Sequence, residues 1–160
     1  MNFNRRKFHY YTSLAGLGLS ISGCNNQSEQ PEVKKATINS KGKIGVVLVG
    51  LGYYSRDLLA PALQRTKRCK QTGIVTGSPE KLPVWQSRYG IKDSNVYNYQ
   101  SMSEIANNPD IDVIYIVLPT GLHAEYSIKA AGTGKHVWCE KPMARTEEEC
   151  QDIIDACENN

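Results

Sequence analysis

The chain has 160 residues, of which 40% are hydrophobic, so it can form one domain with a buried core. It contains no apolar run long enough to be an obvious membrane-spanning helix. Its net charge of +3 comes from the amino end, because Arg5, Arg6 and Lys7 precede Cys24 and no acidic residue does. The rest of the chain has 16 basic and 16 acidic residues, which leaves no electrostatic argument for a nucleic-acid partner.

Residues 1–24 are typical of an export signal that ends in a lipidation site. Paired Arg5 and Arg6 resemble a twin-arginine signal, although Asn4 stands where Ser or Thr is usual. Residues 21–24 (ISGC) resemble a bacterial lipobox, in which Cys24 receives lipid. We therefore expect export by the twin-arginine machinery to the periplasm, with membrane attachment only through lipid on Cys24. An ordinary amino-terminal tail is the alternative.

Residues 25–42 are polar and lack periodicity, and we interpret them as a flexible linker. From residue 43 onward, β-branched apolar runs alternate with segments whose apolar residues have helical spacing. The predicted strands are 43–49, 72–76, 95–99, 111–118 and 135–139. The predicted helices are 54–66, 79–88, 101–107, 120–131 and the segment after residue 146. This alternation predicts parallel βαβ units with right-handed crossovers.

The fold class is therefore α/β, a doubly wound parallel sheet of about five strands in residues 43–160, with a ligand crevice at the strands' carboxyl ends. Two helices begin with the spacing of a capping box, Ser101 with Glu104 and Thr146 with Glu149. In the last helix a buried stripe is predicted at Cys150, Ile153, Ile154 and Cys157.

The five cysteines predict neither a disulfide nor a metal site. No CxxC or Cys/His pair has zinc spacing. Cys150 and Cys157 lie seven residues apart on one predicted helix, so their Cα atoms would be about 10 Å apart, too far for a disulfide. Apart from Cys24, the cysteines are interpreted as small core residues: Cys69, Cys139, Cys150 and Cys157.

A glycine-rich loop, VGLGYYS (49–55), joins the first strand to the first helix. Gly50 permits a tight turn, and Gly52 lets the backbone approach a pyrophosphate at the helix amino end, where N–H groups favour negative charge. The pattern is GxGxxS, and Ser55 is small enough for close packing of helix on strand. Its place between a strand and a helix predicts a dinucleotide site, with a structural glycine turn as the alternative.

The second strand is followed by TGSPEK (76–81), which has no acidic residue before Glu80. A site for NAD usually has an acid here to bind the ribose 2′-hydroxyl. Gly77, Ser78 and Lys81 instead suggest a 2′-phosphate, because Ser78 can hydrogen-bond it and Lys81 can neutralise it. We therefore expect NADP(H) as the preferred cofactor and NAD as the alternative; a turn with a solvated lysine would also account for the pattern.

Two further segments follow predicted strands. Pro119 and Thr120 close the fourth strand, and His123 lies in the first turn of the next helix, where it is expected to face the crevice or to be structural. After the fifth strand, Glu140 and Lys141 reach the same edge. The Lys141 ammonium could hydrogen-bond a substrate hydroxyl and ease its deprotonation, with Glu140 holding Lys141 or binding ribose. A surface ion pair is the alternative.

Three segments together resemble one family: VGLGYYS, IVTGSPEK and YIVLPTGLHAEYSIKAAGTGKHVWCEKPMA. Over residues 43–160 the chain is similar to the Gfo/Idh/MocA oxidoreductase superfamily, most of all to its glucose–fructose oxidoreductase members. The resemblance implies an NAD(P)-binding Rossmann domain and the oxidation or reduction of a sugar or polyol.

The resemblance also implies roles for individual residues. The pyrophosphate loop would consist of Gly50, Gly52, Tyr53, Tyr54 and Ser55. Ser78 and Lys81 would face the adenosine phosphate. The nicotinamide side would be approached by Pro119, Thr120 and His123, although relatives often have Asn where Thr120 stands. Lys141 would bind the reacting hydroxyl, with Glu140 beside it.

Members of the family continue into a second domain that binds substrate, supplies an acid/base partner and mediates homo-oligomerisation. We therefore interpret this chain as the cofactor-binding half of an exported NAD(P)-dependent sugar or polyol oxidoreductase. Two alternatives remain open. One is an NAD-dependent glycoside hydrolase of the same superfamily, and the other is a truncated, non-catalytic nucleotide-binding module.

Overall fold

The computed structural model describes residues 42–160, which form one sheet with helices on both faces. The strands are β1 Ile44–Val49, β2 Cys69–Val75, β3 Val96–Tyr97, β4 Val113–Ile116 and β5 His136–Cys139. Their order in the sheet is β3-β2-β1-β4-β5, and every neighbouring pair is parallel. The predicted signal of residues 1–24 and all but the last residue of the predicted linker lie outside the described residues.

Helices connect the strands. The α-helices are α1 Ala60–Arg65, α2 Leu82–Tyr89, α3 His123–Ala131 and α4 Glu147–Glu158. A π-helical segment, Tyr54–Leu59, leads directly into α1, and shorter 3-10 segments are Pro79–Lys81, Asp93–Asn95, Ser101–Asn107 and Thr120–Leu122. None of the helices within residues 42–160 has the length and apolar character needed to cross a membrane.

The core has two layers, one on each face of the sheet. Side chains of β1 alternate between the faces, so Val46 and Leu48 pack with Trp85 of α2, whereas Val47 and Val49 pack in the other layer. That second layer also includes Met102 and Ile105 of the Ser101–Asn107 segment and Ala130 of α3. Helices on both faces of a parallel five-stranded sheet confirm the doubly wound prediction.

The third strand is shorter than predicted, with two residues rather than five. Asn98 ends it, because its side-chain Oδ1 accepts hydrogen bonds from the N–H groups of Gln100 (2.9 Å) and Ser101 (2.8 Å). The Ser101 hydroxyl accepts from the N–H of Asn98 at 3.1 Å instead of capping the helix. The capping box predicted at Ser101 and Glu104 is therefore wrong.

The last helix has the predicted N-cap but only half of the predicted capping box, because the Glu149 carboxylate accepts from the N–H of Arg145 rather than from that of Thr146. It also has only part of the predicted stripe. The Thr146 hydroxyl accepts a hydrogen bond from the N–H of Glu149 at 3.2 Å, which confirms the N-cap. Ile153 is buried, but Ile154 is 39% exposed. Cys157 is also exposed, so the interpretation of Cys157 as a core residue is wrong, whereas Cys69, Cys139 and Cys150 are half-buried free thiols. The stripe is incomplete because β5 is the last strand of the described sheet, and Ile154 and Cys157 line an open groove beside it.

Candidate functional site

The carboxyl ends of all five strands lie at one edge of the sheet because the strands are parallel. The order β3-β2-β1-β4-β5 reverses direction between β1 and β4, so the chain leaves these two neighbours toward opposite faces. A crevice forms at such a switch point. The segments that follow β1, β2, β4 and β5 border it, and each carries residues that the sequence pattern singled out.

Gly50 is required by the packing of the loop after β1. Its φ is +95°, and a Cβ at this position would lie 2.6 Å from the carbonyl oxygen of Val117, next to β4. The N–H of Gly50 donates to the carbonyl of Val75 at 3.0 Å. Its own carbonyl accepts from the fully buried hydroxyl of Ser55 at 2.6 Å. Ser55 therefore holds the turn by a hydrogen bond, beyond the small size that the sequence suggested.

Gly52 has a different environment in the same loop. A Cβ at Gly52 would have no atom of the described chain within 4 Å, and its φ lies outside the left-handed region. The backbone here is open to solvent, as are the neighbouring Tyr53 (68% exposed) and Tyr54 (40% exposed). Packing within the chain thus explains Gly50 but not Gly52, whereas a phosphate approaching the backbone would explain Gly52.

Lys81 extends from the segment after β2 to the glycine loop. Its Nζ donates to the carbonyl oxygen of Leu51 at 3.4 Å, so an ammonium lies beside the loop. The turn between is held by the N–H of Ser78, which donates to the Thr76 hydroxyl at 3.1 Å. Gly77 is fitted closely against Tyr99, since a Cβ would lie 3.1 Å from that ring. The structure thus brings the glycine loop and Lys81 together.

Glu140 and Lys141 follow β5, but they form no ion pair with each other. One carboxylate oxygen of Glu140 accepts the backbone N–H of Lys141 at 3.2 Å, and the other accepts the hydroxyl of Tyr115. Within residues 42–160 the Lys141 ammonium is exposed and makes no hydrogen bond or ion pair. The surface ion pair offered as an alternative is therefore wrong, and Glu140 holds Lys141 through the backbone.

Tyr115 is a residue of this site that the sequence analysis missed. Burial raises the pKa of Tyr115 and the hydrogen bond to Glu140 raises it further, so the hydroxyl stays protonated and able to donate. The ring packs edge-on against Trp138 with centroids 5.6 Å apart. In the sequence, Tyr115 belongs to an apolar strand, and only the pairing of β4 with β5 brings it to Glu140.

His123 does not face the crevice, contrary to one of the two expectations for it. Its ring is 1% exposed, with Nδ1 2.8 Å from the carbonyl oxygen of Pro142 and Nε2 2.7 Å from that of Leu118. The residue instead joins the segment after β4 to the segment after β5. Of its predicted companions at the edge, Pro119 is exposed and Thr120 is half-buried.

The open backbone and the charge at this edge suit a phosphate-bearing ligand. Residues 42–160 contain no group of three or more His, Cys, Asp or Glu side chains placed to hold a metal. The open backbone at Gly52 and the ammonium of Lys81 can accommodate a phosphate, and Ser55 keeps the turn in place. Individual contacts to a cofactor stay predictions.

Comparison with known proteins agrees with this geometry. Residues 44–160 match the model of the GFO_IDH_MocA group, described as an oxidoreductase family with an NAD-binding Rossmann fold. The chain belongs to this family. It is the NAD(P)-binding Rossmann domain of a Gfo/Idh/MocA protein, as the sequence resemblance implied.

Three relatives illustrate the family. The chain is 41% identical over 83 residues to levoglucosan dehydrogenase of Pseudarthrobacter phenanthrenivorans, covering 52% of this chain and 20% of that one. It is 38% identical to the structure of aldose-aldose oxidoreductase from Caulobacter crescentus, with a TM-score of 0.72, covering 73% of this chain and 35% of that one. It is 30% identical to the structure of the WlbA dehydrogenase from Bordetella pertussis in complex with NADH and UDP-GlcNAcA, with a TM-score of 0.61. This match covers 73% of this chain and 34% of that one. The chain thus spans about a third of the length of most relatives it matches.

Proposed function

We propose that this chain supplies the cofactor-binding half of an oxidoreductase that prefers NADP(H) and acts on a hydroxyl or carbonyl group of a sugar or polyol. The observation that carries the proposal is the placement of three features at one edge of the sheet. These are the open backbone at Gly52, the ammonium of Lys81 beside it, and the ammonium of Lys141 after β5, which pairs with no group within residues 42–160.

The preference for NADP(H) rests on the segment after β2. No carboxylate precedes Glu80 there, and Glu80 itself is exposed in the Pro79–Lys81 turn. Lys81 and Ser78 offer a cation and a hydroxyl, which suit a 2′-phosphate. The relatives include proteins with either cofactor. The structure of KijD10, a 3-ketoreductase from Actinomadura kijaniata that is 25% identical, contains NADP, whereas that of WlbA contains NADH.

Lys141 is the residue that we expect to act on the substrate. A bound nicotinamide would accept or supply the hydride. The ammonium can donate a hydrogen bond to the reacting oxygen and stabilise negative charge that develops there. Glu140 fixes the backbone of Lys141 while Tyr115 fixes Glu140, so the site can hold its geometry before substrate arrives.

The substrate class is inferred from the relatives. Their names include levoglucosan dehydrogenase, aldose-aldose oxidoreductase and inositol 2-dehydrogenase. All of these names refer to sugars or a cyclitol, so we propose a polyhydroxylated substrate for the complete enzyme. A homo-oligomer is proposed only for a form that includes the second domain.

Calorimetric titration of the full 160-residue chain with NADP⁺ and with NAD⁺ tests the cofactor proposal. We expect NADP⁺ to bind more tightly, and Lys81→Met to weaken NADP⁺ by about tenfold while changing NAD⁺ less. Lys70→Met is the matched control. Lys70 is an exposed lysine near the start of β2, whereas Lys81 follows the end of β2, so Lys70 lies away from the crevice edge. Tighter binding of NAD⁺, or equal losses from the two variants, would refute the NADP(H) preference.

We also propose that the protein is exported by the twin-arginine machinery as a lipoprotein anchored at Cys24. This rests on Arg5, Arg6 and the ISGC segment, which precede the described residues. In cell fractionation, Cys24→Ser should move the protein from the membrane to the soluble fraction. Replacing both arginines by lysine should retain it in the cytoplasm, and unchanged fractionation of both variants would contradict the proposal.

A further inference from the structure

His123 lies at the junction of two segments of the site. It is the first residue of α3, and its buried ring lies between the carbonyl of Leu118, which follows β4, and the carbonyl of Pro142, which follows β5. Both ring nitrogens are within 2.8 Å of these oxygens. One side chain therefore spans the two loops at the edge where the nicotinamide half is expected.

The chemistry of the two partners determines what the ring must do. A carbonyl oxygen can only accept a hydrogen bond, whereas a neutral imidazole donates from one nitrogen and accepts at the other. Nδ1 must therefore carry a proton for the ring to bind the Pro142 carbonyl.

We propose that His123 is a positioning residue that donates from Nδ1 to the Pro142 carbonyl and so fixes the segment carrying Lys141. The Pro142 carbonyl that it binds follows Lys141 directly in the chain. Two other contacts hold the same segment: the Cys139 thiol donates to the carbonyl of Met143 at 3.6 Å, and Tyr115 donates to Glu140. His123 is the member of this group that connects the segment to the loop after β4.

This inference rests on the proposed function, because it assigns His123 a part in the nicotinamide side of that same site. The role differs from direct contact with cofactor. The ring itself is buried, and its effect passes through the backbone to Lys141. Loss of the Pro142 contact should therefore weaken ligands that reach the nicotinamide side and spare ligands that bind only the glycine loop and Lys81.

Nitrogen-detected magnetic resonance of the histidine rings tests the donation directly. In the uniformly ¹⁵N-labelled full chain, Nδ1 of His123 should have the chemical shift of a protonated nitrogen. His136→Gln removes the other described histidine, which is exposed on β5, and so helps to assign the signals. An unprotonated Nδ1 at His123 would overturn the proposal.

Two variants test the positioning role. The amide nitrogen of Asn at residue 123 stands near the place of Nδ1 and can still donate to Pro142, whereas that of Gln stands near Nε2 and can donate to Leu118. We expect His123→Gln to weaken NADP⁺ by about tenfold and 2′-phospho-ADP-ribose, which lacks nicotinamide, by less than about twofold. His123→Asn should keep most of the NADP⁺ affinity, because it keeps the contact to the Lys141 segment.

A purely structural role predicts a different result, in which both variants weaken both ligands in proportion to their loss of stability. That result, or equal NADP⁺ affinities of the two variants, would overturn the proposal. Thermal unfolding of each variant provides the stability comparison. If the wild-type chain bound neither ligand, the proposed function would fail, and the ring-nitrogen measurement would still decide whether His123 donates to Pro142.

Discussion

Substitution by alanine should affect different properties at the two glycines of the GLG turn, Gly50 and Gly52. Gly50→Ala places a methyl group 2.6 Å from the carbonyl oxygen of Val117 and 2.8 Å from a side-chain carbon of Leu118, at a φ of +95°. Gly52→Ala places the same group in open space at an ordinary φ. We therefore expect Gly50→Ala to affect folding and Gly52→Ala to affect cofactor binding.

The expected cost of Gly50→Ala has two parts. Holding a residue with a side chain in a left-handed conformation costs about 1–3 kcal/mol, and forcing a methyl group into a packed site costs about 1–3 kcal/mol more. The free energy of unfolding should thus fall by about 2–6 kcal/mol, a large share of the total stability of a typical domain, which is about 5–15 kcal/mol. Gly52→Ala should change it by no more than about 0.5 kcal/mol.

Urea unfolding followed by circular dichroism measures the first effect. With a denaturant dependence of about 2 kcal/mol per molar urea, the midpoint of Gly50→Ala should fall by about 1–3 M, and that of Gly52→Ala should stay within about 0.3 M of wild type. Calorimetric titration with NADP⁺ measures the second effect, where Gly52→Ala should lose about tenfold or more in affinity, because its methyl group would stand between the backbone and a phosphate.

This prediction would be refuted if Gly52→Ala destabilised the fold as much as Gly50→Ala does. It would equally be refuted if Gly52→Ala left NADP⁺ affinity unchanged while the wild-type chain binds NADP⁺. The first result would mean that a side chain at residue 52 does meet other atoms of the folded chain. The second would mean that phosphate does not approach this part of the loop.

Three other predictions concern single side chains. Burial raises the pKa of Tyr115 above the unfolded value of about 10, so the folded state keeps a proton that the unfolded state loses, and stability should fall as pH rises above about 10. Tyr115→Phe should remove that part of the fall, which urea unfolding at pH about 9 and about 11 would show; an unchanged pH dependence would contradict it. Thr146→Ala should lower stability by about 1 kcal/mol through loss of the N-cap, with Thr66→Ala, another threonine hydroxyl bonded to backbone, as a comparison. Ser55→Ala should cost about 1–2 kcal/mol, because the Gly50 carbonyl would lose its donor, and a smaller change in the urea midpoint than that of Thr146→Ala would count against this.

Two sequence patterns with the same spacing, one correctly and one wrongly interpreted as a helix cap, show where prediction of local structure fails. Ser101 and Glu104 have the same spacing as Thr146 and Glu149, but only Thr146 caps a helix. Asn98 lies three residues before Ser101; its Oδ1 accepts the N–H groups of Gln100 and Ser101, and its own N–H donates to the Ser101 hydroxyl. The turn formed by Asn98 thus engages the Ser101 hydroxyl, and the serine–glutamate spacing does not show this.

Within the site, the residues that could be predicted are those whose role depends on the adjoining backbone. The position of Gly50 after an apolar strand was enough to predict a tight turn, which its φ of +95° confirms. The roles of Tyr115 and His123 could not be predicted in this way. Tyr115 binds Glu140, 25 residues away, and His123 binds Pro142, 19 residues away, so their partners depend on strand pairing.

By itself, the sequence determined the order of strands and helices, the doubly wound class and the turn at the glycine loop. It could do so because hydrophobic periodicity and glycine conformation act over a few residues. Only the tertiary structure decided that Glu140 binds Tyr115 rather than the Lys141 ammonium, that His123 turns away from the crevice, and that Ile154 lies open to solvent. Each of these depends on which strands are neighbours and where the sheet ends, because hydrogen-bond donors and apolar surfaces find their partners across the fold and not along the chain.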